Sequence, residues 1–326
     1  MTQTLFIIFF ALILDRLVGD PDAIWRRVPH PVVLFGQAIG LMDRLFNGKR
    51  LSAETRRFNG AACIAVLLAA SVLLGFVMHR LLAAIEPFGL LAEVVVVAIF
   101  LAQKSLLDHV RAVSEGLKQG GLEGGRRAVS MIVGRDPATL DEPAVCRAGI
   151  ESLAENFSDG VVAPAFWYVL FGLPGLFAYK MLNTADSMIG HKNAKYLEFG
   201  WASARLDDLA NWPAARLSAL FIAAGAWLAK GRASARLAVG TALRDAGLHR
   251  SPNSGWPEAA MAGALGIGLA GPRIYGGLRV DEPMMNASGR TTATPADMDL
   301  ALRIFSAACA VLSVVMLFLG LFAAIL

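Results

Sequence analysis

Residues 61–85 read AACIAVLLAASVLLGFVMHRLLAAI, and this stretch decides the fold class. A helix that crosses a bilayer needs roughly 20 consecutive, mainly apolar residues. The stretch is long enough, and its two basic residues, His79 and Arg80, lie near one end. Ile304–Leu326 is a second apolar run of sufficient length. Two such runs in one chain indicate an integral membrane protein.

The composition of the whole chain agrees with this interpretation. Of the 326 residues, 56% are hydrophobic and 17% are charged, and the mean hydropathy is +0.55. Soluble domains carry about 25% charged residues, so a disordered protein is excluded and an ordinary cytosolic enzyme is disfavoured. The net charge of +4 is too small for a basic nucleic-acid-binding surface. We therefore expect a lipid bilayer, and no nucleic acid, as a partner.

Further apolar runs extend the pattern. Val161–Leu182 is long enough to span, but residues 172–175, GLPG, interrupt it, so a kinked span and a re-entrant helical pair both fit.

No stretch alternates with period two for long enough to form a barrel strand. The sequence predicts an all-α fold, a polytopic integral membrane helical bundle in which residues 1–326 form a single membrane-embedded domain. Three shorter apolar runs are marginal spans: Leu90–Ala102, Leu217–Ala229 and Ala259–Ala270.

The charged segments predict the topology. Thr4–Leu14 has neither the basic flank nor the cleavage site of a signal peptide, so we expect it to remain in the mature protein. The positive-inside rule places the basic loop Arg44–Arg57 in the cytoplasm, and two crossings return Gln103–Gly160 to the same side. We predict a multi-pass protein of the inner (cytoplasmic) membrane, with polar loops, helices and the active site on the cytoplasmic side. The break at residues 172–175 leaves the number of later spans open.

Residues 141–160, DEPAVCRAGIESLAENFSDG, predict a helix. Pro143 suits the first turn, Asp141 or Glu142 suits the cap, and Gly160 suits the end.

One face of that helix carries Arg147, Glu151, Glu155 and Asp159, which follow each other at steps of four. Three carboxylates one turn apart repel each other unless a cation lies among them. Magnesium favours such oxygen ligands. The alternative is a solvated helix face on which Arg147 pairs with Glu151, and spacing alone does not decide between the two.

A second polar stretch, Tyr179–Asn211, directly follows an apolar run. Ionisable groups at a membrane border tend to face protein or a water-filled cavity and to be functional. A plain interfacial loop with snorkelling lysines explains the same pattern. The polar residues of the stretch include Lys180, Asn183, Asp186, His191, Lys192, Asn193, Glu198, Arg205, Asp207, Asp208 and Asn211.

Two turn-rich loops are weaker candidates. Asp20 precedes a proline, and His30 lies between two prolines, which hold it in a rigid turn. The loop 249–258, HRSPNSGWPE, has the composition of a loop that presents backbone amides to a phosphate. The chain contains neither a P-loop nor a dinucleotide fingerprint. Any ATP would therefore bind by other means.

Taken in order, these segments resemble the adenosylcobinamide-phosphate synthase family, integral membrane proteins of cobalamin biosynthesis. The resemblance covers about residues 12–275, and the span after Ile304 matches only as an apolar segment. The motifs are DRLVGDP at 15–21, HPV at 30–32, IESLAEN at 150–156 with Asp159-Gly160, YKMLNTADS at 179–187, KN at 192–193, FGWASARLDD at 199–208 and SPNSGWPE at 251–258.

The resemblance implies an amide-forming ligase. Its substrates would be adenosylcobyric acid and (R)-1-aminopropan-2-ol or the O-phosphate of that amine, and ATP with magnesium would be the cofactors. Other membrane enzymes of the corrinoid pathway would be possible partners. Two other functions stay open: a transporter or channel, since intramembrane charges also line translocation paths, and an inactive relative that senses corrinoid.

Residue roles follow from the resemblance and from ligase chemistry, in which phosphorylation gives a carboxylate a better leaving group. We expect the side chains to converge on one magnesium-bridged pocket. Three tryptophans either line a corrinoid cavity at the membrane border or anchor the protein at the membrane interface: Trp167, Trp201 and Trp212. The catalytic candidates are Glu151, Glu155, Lys180, Asp186 and His191. The candidate metal ligands are Glu151, Glu155, Asp159, Asp207 and Asp208. The candidate substrate- and phosphate-binding residues are Asp20, His30, Asn156, Asn183, Lys192, Asn193, Arg205, Asn253 and Ser254.

Overall fold

The computed structural model describes residues 1–133, 136–275 and 278–326. Helices make up most of this part of the chain, and the strands are only two or three residues long. The helices are α1 (Thr2–Leu17), α2 (Asp22–Trp25), α3 (Pro31–Phe46), α4 (Ala53–Ala83), α5 (Phe88–Ile99), α6 (Gln103–Val129), α7 (Glu142–Phe157), α8 (Ala163–Ile189), α9 (Trp201–Lys230), α10 (Arg232–Asp245), α11 (Gly255–Leu265) and α12 (Pro295–Ile325). The strands are β1 (Leu269–Ala270), β2 (Arg273–Tyr275), β3 (Leu278–Val280) and β4 (Met284–Met285).

Five helical segments in the described ranges are long and apolar enough to cross a membrane. The prediction of an all-α, polytopic membrane protein is therefore confirmed. The segments are Ala53–Ala83, Phe88–Val129, Glu142–Ile189, Trp201–Lys230 and Pro295–Ile325.

The chain forms two compact units. Unit 1 comprises residues 1–101, 163–211 and 319–326, and in it α1 packs against α5 while α4 packs against α8. Unit 2 comprises residues 102–162 and 212–318, with α6 against α7 and α10 against α11. The single domain expected from the sequence stays a prediction.

Helix α8 reverses direction at Gly172. This glycine has a φ of 63°, in the left-handed region that favours glycine. A Cβ built on Gly175 would lie 2.5 Å from the carbonyl oxygen of Trp167. Residues eight apart in a straight helix are about 12 Å apart along its axis, so the two pieces of α8 fold back on each other. Of the two alternatives for the GLPG break, the structure has the helical pair.

Helix α7 begins as predicted but does not end as predicted. The side chain of Asp141 accepts a hydrogen bond from the backbone N–H of Ala144 and caps the helix. The expected end at Gly160 was wrong, because residues 158–162 form a π-helical turn that continues into α8. A π-helical turn winds the backbone more widely than an α-helix. The i, i+4 register that places Asp159 on the face of Glu151 therefore ends at residue 157.

The apolar run Ala259–Ala270 is helical only as far as Leu265. Gly266 then takes a left-handed φ of 74°, which ends α11. The continuation of a helix to residue 270 was therefore wrong, since β1 occupies residues 269–270 and pairs antiparallel with β4. Strands β2 and β3 form a second antiparallel pair.

Replacement of Gly75 by alanine should destabilise unit 1. A methyl group at Gly75 of α4 would lie 2.6 Å from the backbone of Pro174, just after the reversal of α8. Overpacking of this kind costs roughly 1–3 kcal/mol. We expect a lower unfolding temperature in detergent for Gly75→Ala. The matched control is Gly240→Ala on α10, where no atom lies within 4 Å and alanine favours the helix. Equal stability of the Gly75→Ala variant and the wild type would contradict the tight contact.

Candidate functional site

Glu151 is a buried carboxylate of α7 in unit 2. Its side chain is only 4% exposed, and its Oε1 accepts a 2.8 Å hydrogen bond from the backbone N–H of Ala270. Ala270 has a φ of 61°, a strained conformation for a residue with a side chain. Arg147 instead donates to the carbonyl oxygen of Thr291. The solvated face with an Arg147–Glu151 pair was therefore wrong.

Glu155, one turn later, contacts the loop 249–258. Its Oε1 accepts a 2.9 Å hydrogen bond from the hydroxyl of Ser254. The Oγ of Ser251 accepts the backbone N–H groups of Asn253 and Ser254, at 3.2 and 3.3 Å. These two backbone amides therefore donate within the loop. The side chains of Asn253 and Ser254, and not these amides, contact residues outside the loop.

The other two candidates on this helical segment have different surroundings. Asn156 donates to the carbonyl oxygen of Ser152, within α7. Asp159 lies in the π-helical turn, partly exposed. In the described ranges, no three His, Cys, Asp or Glu side chains form a group that could hold a metal ion by themselves.

Asp207 is a buried carboxylate of unit 1 whose two oxygens have different hydrogen-bond environments. Its Oδ2 accepts a 2.9 Å hydrogen bond from Asn211, whose own Oδ1 accepts one from the hydroxyl of Tyr179. Its Oδ1 is buried and makes no hydrogen bond of ordinary length and angle to the described residues. Asp186 of α8 is near enough to repel the Asp207 carboxylate, and the side-chain amide of Asn183 is near enough to donate to it. An unsatisfied buried oxygen is costly, and a second acidic group beside it adds repulsion. This arrangement suits a bound cation.

Cations lie around the neighbouring Asp208. Arg205 is 3.8 Å from its carboxylate, and Lys192 interacts with it electrostatically. Lys180 lies on α8, partly buried, one helical turn before Thr184, whose hydroxyl donates to the Lys180 carbonyl oxygen. The predicted phosphate-binding cations of this stretch therefore belong to the unit that contains Asp207.

The segment from Gly190 to Gly200 is held by α3 and α4. The carboxylate of Asp43 accepts hydrogen bonds from the Nζ of Lys195, at 2.7 Å, and from the side chain of Asn47. Arg56 donates to the Lys195 carbonyl oxygen. The segment carries His191 and Lys192, which are exposed, and Asn193, whose side chain caps the turn by accepting the backbone N–H of Lys195. This anchor sets the position of these three candidates.

His30 and Asp20 lie close together in unit 1. The Nε2 of His30 is 3.6 Å from the Asp20 carboxylate, and its Nδ1 accepts the backbone N–H of Val32 and caps α3. The ring packs edge-on against Trp25, 4.5 Å away. The rigid placement expected from the two prolines is thus reinforced by a cap, which is a structural role.

The sequence patterns missed several functional candidates. Asn211 and Tyr179 complete the hydrogen bonds of Asp207, and Asp43 anchors the 190–200 segment. The partners of Tyr179 and Asp43 lie 32 and 152 residues away, so spacing gives no signal for these two residues, whereas Asn211 lies only four residues after Asp207. Arg216 does give a signal, since it is a cation at the start of an apolar run. Among the three tryptophans named from the sequence, Trp212 has its ring stacked against the guanidinium of Arg216.

The two groups of candidates belong to different units. Glu151, Glu155, Asn156, Asp159, Asn253 and Ser254 are in unit 2, and the others are in unit 1. Their convergence on one magnesium-bridged pocket stays a prediction.

Comparison with known proteins identifies the family. Residues 8–305 match the family described as CobD/Cbib protein. The chain belongs to the CobD/Cbib family. The resemblance found in the sequence motifs is thereby confirmed, and it covers every candidate residue named above.

Relatives in this family share most of their length with the chain. A protein of Sinorhizobium sp named cobalamin biosynthesis protein CobD is 65% identical, over 96% of this chain and 97% of its own length. Proteins of the same name from Rhizobium meliloti (strain 1021) and Brucella anthropi are 64% and 54% identical, over 95% and 94% of this chain and 95% and 93% of theirs. No solved structure matches the chain. These CobD/Cbib relatives support a role in cobalamin biosynthesis.

The anchor on Asp43 predicts a pH-dependent stability. Burial raises the pKa of Asp43, but the hydrogen bonds from Lys195 and Asn47 outweigh burial and hold this pKa below the ordinary value of 3.8. A carboxylate whose pKa is lowered by folding stabilises the protein above its ordinary pKa and loses that contribution as the pH falls through the lowered one. Asp43→Asn should therefore lower the unfolding temperature at pH 7, and the difference from the wild type should shrink towards pH 3. Hydrogen exchange of residues 190–200 should be faster in the variant at pH 7.

The control is Asp108→Asn on α6, which removes an exposed ion pair with Lys104. Such pairs contribute little, so this variant should match the wild type. A difference for Asp43→Asn that persists unchanged to pH 3 would contradict the anchor.

Proposed function

We propose that this protein joins adenosylcobyric acid to (R)-1-aminopropan-2-ol, or to the O-phosphate of that amine, through an amide bond, in a reaction driven by ATP. One observation carries the proposal: the family match spans residues 8–305 and includes all the acidic and basic candidates. The relatives are named for cobalamin biosynthesis. A buried, hydrogen-bonded set of carboxylates within apolar helices supports an enzyme site.

The residues around Asp207 fit magnesium. Its Oδ1 is a hard oxygen that is buried and makes no hydrogen bond of ordinary length and angle to the described residues. Asp186 supplies a further carboxylate oxygen of the kind that magnesium prefers, and the ion usually keeps waters and substrate phosphates as well. We assign the metal to Asp186 and Asp207, with Asp208 next in sequence. When bound, magnesium neutralises phosphate charge during phosphoryl transfer.

The chemistry requires two steps. A propionate oxygen of the corrinoid attacks the terminal phosphorus of ATP, and the bond from that phosphorus to ADP breaks. The amine nitrogen then attacks the acyl carbon, phosphate leaves, and the nitrogen loses its proton. Lys180, Lys192 and Arg205 would balance the phosphate charge.

The proton of the incoming ammonium needs an acceptor, because only the free amine attacks. Histidine is the residue type that exchanges protons near neutral pH, and His191 is exposed on the anchored 190–200 segment. Glu155 is the second candidate, held at one oxygen by Ser254. We propose that the reaction takes place at the cytoplasmic side of the inner membrane.

The proposal is tested by product formation. Protein purified in detergent, incubated with adenosylcobyric acid, magnesium ATP and each amine separately, should give a new corrinoid amide by mass spectrometry and one ADP per amide. Omission of any one substrate should abolish the product. Vectorial uptake by vesicles without a new amide would favour a transporter, and corrinoid binding without turnover would favour a sensor. Either outcome would overturn the proposal.

Asp207→Asn should separate catalysis from stability. We expect amide formation to fall by roughly 100-fold, with a higher magnesium concentration needed for half-maximal rate. The unfolding temperature should be unchanged or higher, because the variant removes a buried charge that faces Asp186. The control Asp108→Asn should keep full activity. Activity of Asp207→Asn within about twofold of the wild type would show that this carboxylate does not hold the metal.

A further inference from the structure

Arg216 is a cation inside a candidate membrane-spanning helix. It lies on α9, within the segment Trp201–Lys230, and is partly buried. In the described part of the chain no acidic side chain pairs with it. Arginine within a membrane segment is costly and usually marks a functional position. None of the roles assigned above uses this residue.

Two tryptophans fix the plane of the Arg216 guanidinium. Its central carbon lies 4.2 Å from the ring centre of Trp212 and 4.8 Å from that of Trp256. Stacking on an aromatic face holds a guanidinium while its edge stays available for hydrogen bonds.

Hydrogen bonds of the Arg216 guanidinium use only one of its nitrogens. Nη1 donates to the carbonyl oxygen of Trp212, at 2.8 Å, and to the Oδ1 of Asn253, at 3.3 Å. The N–H groups of Nε and Nη2 have no acceptor among the described residues. This edge is the fork with which arginine binds two oxygens of a phosphate or carboxylate.

A single loop holds both this cation and a candidate catalytic carboxylate. Asn253 accepts from Arg216, and its neighbour Ser254 donates to Glu155. Trp256, three residues after Asn253, covers the guanidinium. The backbone of the loop is fixed internally by Ser251. All of these residues belong to unit 2.

We propose that Arg216 binds a phosphate group of a substrate, with the Nε–Nη2 edge donating to two phosphate oxygens. This inference rests on the proposed function for the identity of that substrate, ATP or the phosphorylated amine. Asn253 and the two tryptophans act as positioning residues that hold the guanidinium. An anionic lipid headgroup carries the same phosphate chemistry, so the experiment separates the two sources.

The test is calorimetric binding of tripolyphosphate to the full chain in phosphatidylcholine nanodiscs. We expect the wild type to bind and Arg216→Gln to bind about 10- to 100-fold more weakly. Arg216→Lys keeps the charge without the fork and should fall between the two. Arg236→Gln, an exposed arginine on α10, should bind like the wild type. Unfolding temperatures of all four proteins show that the variants are folded.

Two results would overturn the inference. One is equal tripolyphosphate affinity of the wild type and Arg216→Gln, or no binding by either. The other is that Arg216→Gln leaves tripolyphosphate affinity unchanged and only removes the increase in unfolding temperature that added phosphatidylglycerol gives the wild type. That result would show that Arg216 binds a lipid headgroup.

The amide assay keeps this inference separate from the proposed function. There Arg216→Gln should raise KM for the phosphate-bearing substrate by about 10-fold or more, with KM for adenosylcobyric acid unchanged. If the wild type forms no amide but Arg216→Gln loses the tripolyphosphate binding of the wild type, the phosphate site is supported and the proposed ligase activity is contradicted. If Arg216→Gln forms the amide with unchanged KM values, the phosphate-binding role of Arg216 is contradicted and the proposed ligase activity is not.

Discussion

The structure depends on the satisfaction of ionisable groups within apolar helices. Glu151 is buried, and its carboxylate is held by the backbone amide of Ala270. Glu155 is held by Ser254, and one oxygen of Asp207 by Asn211. Because a buried charge without partners costs several kcal/mol, the contacts of Glu151 and Glu155 fix segments that lie 119 and 99 residues further along the chain. The unsatisfied oxygen of Asp207 departs from this rule and supports the magnesium proposal.

Breaks in the helices bring polar residues to these positions. The reversal at Gly172 folds α8 back on itself, and the piece after it carries Lys180, Asn183 and Asp186. The π-helical turn at 158–162 joins α7 to α8 without a loop. Continuous helices satisfy their own backbone hydrogen bonds, which apolar surroundings require. The chain keeps helical backbone through the π-helical turn and departs from it at Gly172.

The sequence predicts the elements whose physics is local. An apolar run of sufficient length predicts α4, and the cap at Asp141 predicts the start of α7. The choice between a kink and a helical pair at Gly172 depends on the approach of Gly175 to Trp167, which no local pattern encodes. The spacing of Glu151 places it on a polar face, but its burial depends on Ala270, 119 residues later. Long-range partners of this kind decide the site, and only the structure supplies them.

We propose that the protein activates a corrinoid carboxylate by phosphorylation before the amine attacks. The direct measurement uses adenosylcobyric acid labelled with ¹⁸O in its reacting carboxyl group, incubated with the purified protein, magnesium ATP and the amine. We expect one ¹⁸O atom in each inorganic phosphate released with ADP. Amide formation with unlabelled phosphate, or with no cleavage of ATP to ADP, would contradict it.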